Sequence, residues 1–280
     1  MTAQLAVSDL TAILINSRGN PEKLTATCVA LAGLAARPEL VRFCIRADAD
    51  DTETIAAIGR LGHLLSVNLT IGPRPISLGA EVNRMAANIE AGFYHVFNDD
   101  VIPLTVNWDL PQLERRALEP DFVSCWTLAP GPTAPDYPIV SRKWLDAAGS
   151  LFTEHYPYWF DDMDLANRYL MVKGKVIDLM GIGLHARKTK TQRMRDFGFW
   201  FSFFRSMEGE RIAWAKSIAE NLGLPEPTEE WIERTRMGDI AWFERKKELE
   251  TERKYSDPSE PDPAYLSARA KAQSMMGVAA

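Results

Sequence analysis

The chain has 280 residues, of which 46% are hydrophobic and 25% charged, and its formal net charge is −6. That composition excludes a fibrous or disordered chain and suits a globular protein able to bury a core without disulfide staples. The acidic balance argues against a basic module that coats nucleic acid, and no apolar run approaches the roughly 18 residues of a membrane span.

Thr11–Ile15 reads as a first strand that ends at the polar turn Asn16-Ser17-Arg18-Gly19-Asn20. Pro21 suits a helix N-terminus, and Leu24, Cys28, Leu31 and Leu34 follow at helical spacing. Val41–Arg46 is a second strand that stops at Ala47-Asp48-Ala49-Asp50-Asp51. A helix over Thr52–Leu61, a third strand over Ser66–Ile71 and a helix over Leu78–Ala91 come next. Phe93–Phe97 is a fourth strand and runs directly into Asn98-Asp99-Asp100. Alternating strands and helices predict a mostly parallel sheet, with ligands bound at the carboxyl ends of its strands. Three polar clusters, around Ser17-Arg18, Asp48 and Asp99-Asp100, therefore fall on one sheet edge.

Phe122–Trp126 reads as a further strand, and the Pro- and Gly-rich stretch Ala129–Pro135 reads as a loop, a candidate lid. Ile139-Val140 precedes a helix from Lys143. The aromatic group Tyr156, Tyr158, Trp159 and Phe160 leads into Asp161-Asp162-Met163-Asp164, then a helix over Leu165–Val172. These rings are either an acceptor platform or core. A strand over Val176–Leu179 leads to a glycine turn and His185. Beyond Ala186 lies a basic run, Arg187–Arg195, then helices around Phe197–Met207, Ile212–Leu222 and Trp231–Glu252. The expected organisation is residues 1–190 as the catalytic domain, 191–255 as a helical extension and 256–280 as a mobile tail or surface strap.

The three cysteines, Cys28, Cys44 and Cys125, sit in apolar surroundings with no Cys-x-x-Cys spacing, which predicts reduced core thiols in a cytoplasmic protein. No basic start precedes an apolar run at the N-terminus, so no signal peptide is expected.

Carboxylates at a strand end supply the hard oxygen ligands that Mg²⁺ or Mn²⁺ requires when it carries a diphosphate. An Asn-Asp-Asp turn also serves as a simple solvated cap. Three carboxylates after an aromatic cluster exceed what one helix cap needs, and one flanked by rings is placed for a raised pKa and general-base work.

The ordered set Ser17-Arg18, Asp48, the Leu78–Asn88 helix, Asn98-Asp99-Asp100, Asp161-Asp162 and His185 resembles the GT-A glycosyltransferases, especially the family-2-like group, over roughly residues 10 to 190. The resemblance implies an α/β, Rossmann-like fold with a central sheet flanked by helices, here followed by a helical C-terminal extension. It implies that Ser17, Arg18, Asp48, Arg84, Asp99 and Arg187 meet the nucleotide and diphosphate of a UDP- or GDP-sugar. It assigns Asp100, Asn98 and His185 to a Mn²⁺ or Mg²⁺ ion. Asp162, with Asp161 beside it, matches the catalytic base of inverting members. Two departures stand out: Asn98 occupies the first position of the Asp-x-Asp motif, and the acid pair is Asp-Asp where many members have Glu-Asp. The acceptor implied is a glycan, a small molecule or a hydroxylated base in phage-like DNA. A nucleotidyltransferase and a catalytically degenerate GT-A binding domain are the competing readings.

Overall fold

The computed structural model describes residues 6–126, 136–157, 160–186, 197–252 and 263–277. Its centre is a seven-stranded sheet in the order β3-β2-β1-β4-β7-β6-β8. The strands are β1 (Thr11–Ser17), β2 (Val41–Asp48), β3 (Val67–Gly72), β4 (Phe93–Asn98), β6 (Val123–Trp126), β7 (Tyr137–Ser141) and β8 (Asp178–Leu179). Among them only β7 runs against the rest. Two further strands, β5 (Val101–Pro103) and β9 (Leu184–Ala186), form a separate antiparallel ribbon.

β1 lies at the heart of the sheet because both of its faces are apolar. Ala12, Ile13, Leu14 and Ile15 are wholly buried, the unbroken apolar run that a parallel strand covered on both faces requires. On one face α1 (Pro21–Leu34) and α2 (Thr52–Leu61) enclose a core with Ile13, Ile15, Phe43, Phe93 and Trp126. On the other, Leu14, Cys44, Tyr94 and Val140 meet Val82 and Met85 of α3 (Leu78–Ala87) and Trp144 of α5 (Arg142–Ala148). All three cysteines are buried, and burial pushes their thiols up, Cys28 to about 12.

Local chemistry sets the helix starts. Asp51, Ser77 and Ser141 each accept a backbone N–H in the first turn of α2, α3 and α5. α3 stops at Ala87, short of Ala91, because Asn88 and the residues after it turn the chain into β4. The helix α4 (Leu110–Leu118) lies between β5 and β6.

The expected helix after the acidic cluster begins earlier than its periodicity suggests. α6 (Asp161–Lys173) takes all three aspartates into its first turn, and the residue before it is Phe160 with φ 74°. A phenylalanine in the left-handed region carries strain of about 1–3 kcal/mol and persists where packing over-determines it. Here Phe160 is locked against Phe204 (rings 4.9 Å apart, stacked) and Trp242 (5.8 Å). Those rings belong to α7 (Phe197–Ser206) and α9 (Glu229–Glu252), with α8 (Glu208–Leu222) between them. α6 ends at Gly174 (φ 67°), over which Trp231 lies so closely that a Cβ there would sit 2.6 Å from its ring.

α10 (Pro263–Met275) buries Tyr265, Ala268 and Ala272 against the same aromatic cluster, and Trp200 Nε1 donates to the Tyr265 hydroxyl at 3.3 Å. Residues 263–277 are thus a seated helix. Among the described residues no helix is long and apolar enough to cross a membrane.

Candidate active site

The turn after β1 and the end of β4 are tied together by one buried carboxylate. Ser17 Oγ donates to Asp99 Oδ2 at 2.6 Å, Asn20 Nδ2 reaches the same oxygen at 3.4 Å, and Thr27 Oγ1 donates to the Asp99 carbonyl at 3.0 Å. Asp99 is buried, and that burial raises its carboxyl to about 6 against the lowering effect of the Ser17 hydrogen bond. Asp99 therefore faces inward and fixes the loop. Asn98 is exposed and Asp100 half-buried, so the motif alternates outward and inward along the strand end.

Asp48, buried at the end of β2, is held between two arginines. It accepts from Arg18 Nη1 at 2.5 Å and from the buried Arg46, which also reaches the Pro73 carbonyl. Arg18 forks onto Asp50 at 2.5 and 2.9 Å, and Gly19 N donates to Asp51 at 2.6 Å. Glu81 stands 3.6 Å from Arg46 and accepts twice from Arg84, at 2.8 and 2.9 Å. Arg84 itself is exposed and is linked to Asp48, at the end of β2, through Glu81 and Arg46. Arg46 and Glu81 were missed from the sequence, because a charged residue inside an apolar strand gives no local sign of its partner.

The acid pair reaches this edge through α3. Asn16 Nδ2, at the end of β1, donates to the Leu78 carbonyl at 3.4 Å, and Leu78 N donates to the Pro157 carbonyl at 3.4 Å. A Cβ on Gly79 would lie 3.2 Å from Asp161 Oδ1 and 2.7 Å from the Thr153 carbonyl, so a glycine is required where α3 meets α6. Asp161 Oδ1 is buried with no hydrogen-bond partner. Burial first, then the charges of Asp162 and Asp164, raises the Asp161 carboxyl well above its ordinary value. Asp162 is half-buried and its Oδ1 accepts the Met163 N–H at 2.8 Å. Burial and the neighbouring charges both disfavour the charged form of Asp161 beside Asp162.

His185 is exposed on β9 opposite Ile102 of β5, the ribbon that starts directly after Asp100. Asp100 has no hydrogen bond or ion pair to any described residue. Among the described residues no three His, Cys, Asp or Glu side chains gather into a metal site. Asn98 and Asp100, at the end of β4, offer the hard oxygen donors that a divalent ion carried by a diphosphate takes, and His185 stands on the neighbouring β5-β9 ribbon. Arg187, the rest of the basic run, the Ala129–Pro135 loop, Tyr158 and Trp159 lie outside the described residues. Of the proposed aromatic platform, Tyr156 and Phe160 are core, exposed at 1% and 2%.

No protein-family model matches the sequence, and no curated protein does. Solved structures do match the fold. S. aureus TarS 1-349 in complex with UDP-GlcNAc aligns with a TM-score of 0.63 at 14% identity, over 95% of this chain and 81% of that one. The mannosyltransferase PcManGT from Pyrobaculum calidifontis, in complex with GDP-Man and Mn²⁺, aligns with a TM-score of 0.54 at 10% identity, over 95% and 84%. Against a longer S. aureus TarS structure the TM-score is 0.57 at 10% identity, over 76% of this chain. This chain spans 43% of that longer one. The fold is that of the GT-A glycosyltransferases, with a helical C-terminal region.

Proposed function

We propose that the chain transfers a sugar from a UDP- or GDP-sugar to an acceptor hydroxyl, with inversion at the anomeric carbon. What supports the reading is the chain of close approaches from Asp99 to Ser17, Asn16 to Leu78 and Gly79 to Asp161, which links the ends of β1 and β4 to the start of α6. Two of the three structural neighbours above are complexes with nucleotide sugars.

In this reading Asp48, fixed by Arg46, orients the nucleoside, and Arg18 exchanges part of its bonding to Asp50 for the donor. Asp100 and Asn98, with His185 near, would hold a Mn²⁺ or Mg²⁺ ion, whose chemistry is to neutralise charge on the departing nucleoside diphosphate. Asp162 accepts the proton of the acceptor hydroxyl as its oxygen bonds to the anomeric carbon and the bond to the diphosphate oxygen breaks. The burial that raises the Asp161 carboxyl disfavours a second charge beside that transfer.

The test is a thermal-shift screen of the chain against UDP-, GDP-, CMP- and dTDP-sugars, each with and without Mn²⁺. A ligand of the native state at a hundredfold excess over its Kd adds about 2.7 kcal/mol. The expected outcome is a metal-dependent shift for one nucleotide, lost in Asp100→Ala. No shift with any donor would refute the reading.

A further inference from the structure

The two edges of the central sheet are built differently. β8, at one end, is two residues long and carries Asp178, paired with Arg115. β3, at the other end, runs six residues, Val67-Asn68-Leu69-Thr70-Ile71-Gly72, with no charge and no proline among them. Short strands, charges and prolines are the devices that keep an edge from pairing with another chain, and β3 has none of them. Leu69 and Ile71 are 39% and 50% exposed, so large apolar side chains stand along this open edge.

The ladder to β2 fixes which backbone groups of β3 face outward. The Ser66 and Gly72 carbonyls accept from Phe43 N and Ala49 N at 2.9 and 2.8 Å, and the parallel register sets Phe43 opposite Val67. Residues that bond to a neighbouring strand alternate, so Ser66, Asn68, Thr70 and Gly72 turn their N–H and C=O groups toward β2. Val67, Leu69 and Ile71 turn theirs away from the sheet, and among the described residues no other backbone group meets them. The side chains of these three share one face, on which Val67 packs against the core that α1 and α2 enclose.

We propose that β3 pairs antiparallel with β3 of a second copy of this chain, about a two-fold axis at Leu69. That register sets Leu69 opposite its own counterpart and Val67 opposite Ile71 on either side of the axis. Each of these pairs exchanges both N–H···O bonds and joins two apolar side chains on one face. Neighbouring registers satisfy fewer groups. An axis at Asn68 leaves Ile71 opposite Leu65, outside the strand, and an axis at Thr70 sets Val67 opposite Pro73, which has no N–H. A two-fold interface brings every residue of a strand against its own kind, which an uncharged strand tolerates without like-charge repulsion. No charge on β3 selects a foreign partner of opposite sign.

The test is sedimentation velocity of the full chain over a wide range of concentration. A concentration-dependent dimer is expected. Leu69→Lys sets two like charges against each other at the axis and is expected to weaken dimerisation about tenfold or more. Leu118→Lys, on α4 and also replacing an exposed leucine, is expected to leave it unchanged. Unaltered circular dichroism would show that both variants fold. Leu69→Cys is expected to link two chains by a disulfide on oxidation, because the Cα atoms of such a pair lie about 5.5 Å apart. Thr70→Cys is not, since its own counterpart lies diagonally, about 7–8 Å away. The three native cysteines are buried and leave this reading clear. The cysteine variants decide the matter even where Leu69→Lys does not fold. A chain that stays monomeric throughout, a dimer that survives Leu69→Lys, or a dimer that Leu69→Cys does not cross-link would each overturn the proposal. No nucleotide or sugar enters the measurement, so its outcome is independent of the proposed function.

Discussion

Asp161 and Asp162 are adjacent in sequence and opposite in circumstance. Both are half-buried, but Asp162 Oδ1 keeps a backbone hydrogen bond while Asp161 Oδ1 is enclosed and unpaired. Asp162→Asn is expected to leave donor affinity within about twofold and to cut transfer by roughly 10²–10⁴-fold, the range for a lost general base, read by calorimetry and by release of nucleoside diphosphate. Asp161→Asn tests a different property. Because its folded pKa is raised, Asp161 contributes stability at low pH that is lost as pH rises through the folded value. The asparagine variant is therefore expected to melt higher than the native protein at alkaline pH and nearly level with it at acid pH. From sequence, the two carboxylates were legible as a pair. Which of them is desolvated was not, because that depends on Gly79, some eighty residues away, admitting the start of α3 beside it. Likewise Asp99 was legible as a strand-end acid, while its turn toward Ser17 and Asn20 was not.

α6 is the element on which the sequence and the structure differ most usefully. Helical periodicity placed its start at Leu165, yet it begins at Asp161. The stop signal before it is a phenylalanine in a backbone conformation that composition alone would assign to glycine. β1 to β4, by contrast, were readable to within two residues, since their apolar runs end in polar turns, Pro21 opens α1, and Asp51 and Ser77 cap α2 and α3. The two-residue β8 and three-residue β9 are too short to leave a period. The other end of α6 is fixed by Gly174 beneath Trp231. Gly174→Ala is expected to cost about 2–4 kcal/mol, from left-handed strain plus overpacking against the indole, and to appear as a lowered urea midpoint with an unchanged m-value. Trp231→Ala in the same background should restore part of the loss by removing the clash.

The stability of the molecule as a whole carries a histidine in its central sheet. His95, in β4, is fully buried among Phe97, Trp108 and Trp126, and burial lowers its pKa to about 3. In the unfolded chain a histidine titrates near 6.5, so between that value and about 3 the unfolded state binds more protons. His95 therefore costs about 1.4 kcal/mol of stability per pH unit as the solution is acidified through that window. Denaturation of a His95→Phe variant beside the native protein should show a stability difference that moves in the variant's favour from pH 6.5 downward and is flat above it. A constant difference across the window would mean that His95 is protonated in the fold.

The strain at Phe160 has a consequence for how the molecule is made. Synthesis delivers β1 through β5 first, and with them the polar turns at the ends of β1, β2 and β4. Phe160 follows, but Phe204 and Trp242, the rings that hold it in its unfavourable backbone state, emerge later, Trp242 more than eighty residues after it. A nascent chain would thus possess the Asp48 and Asp100 strand ends while its acid pair still lacked a fixed helix start. On the function proposed above, an interrupted product of translation would lack the fixed acid pair and transfer nothing.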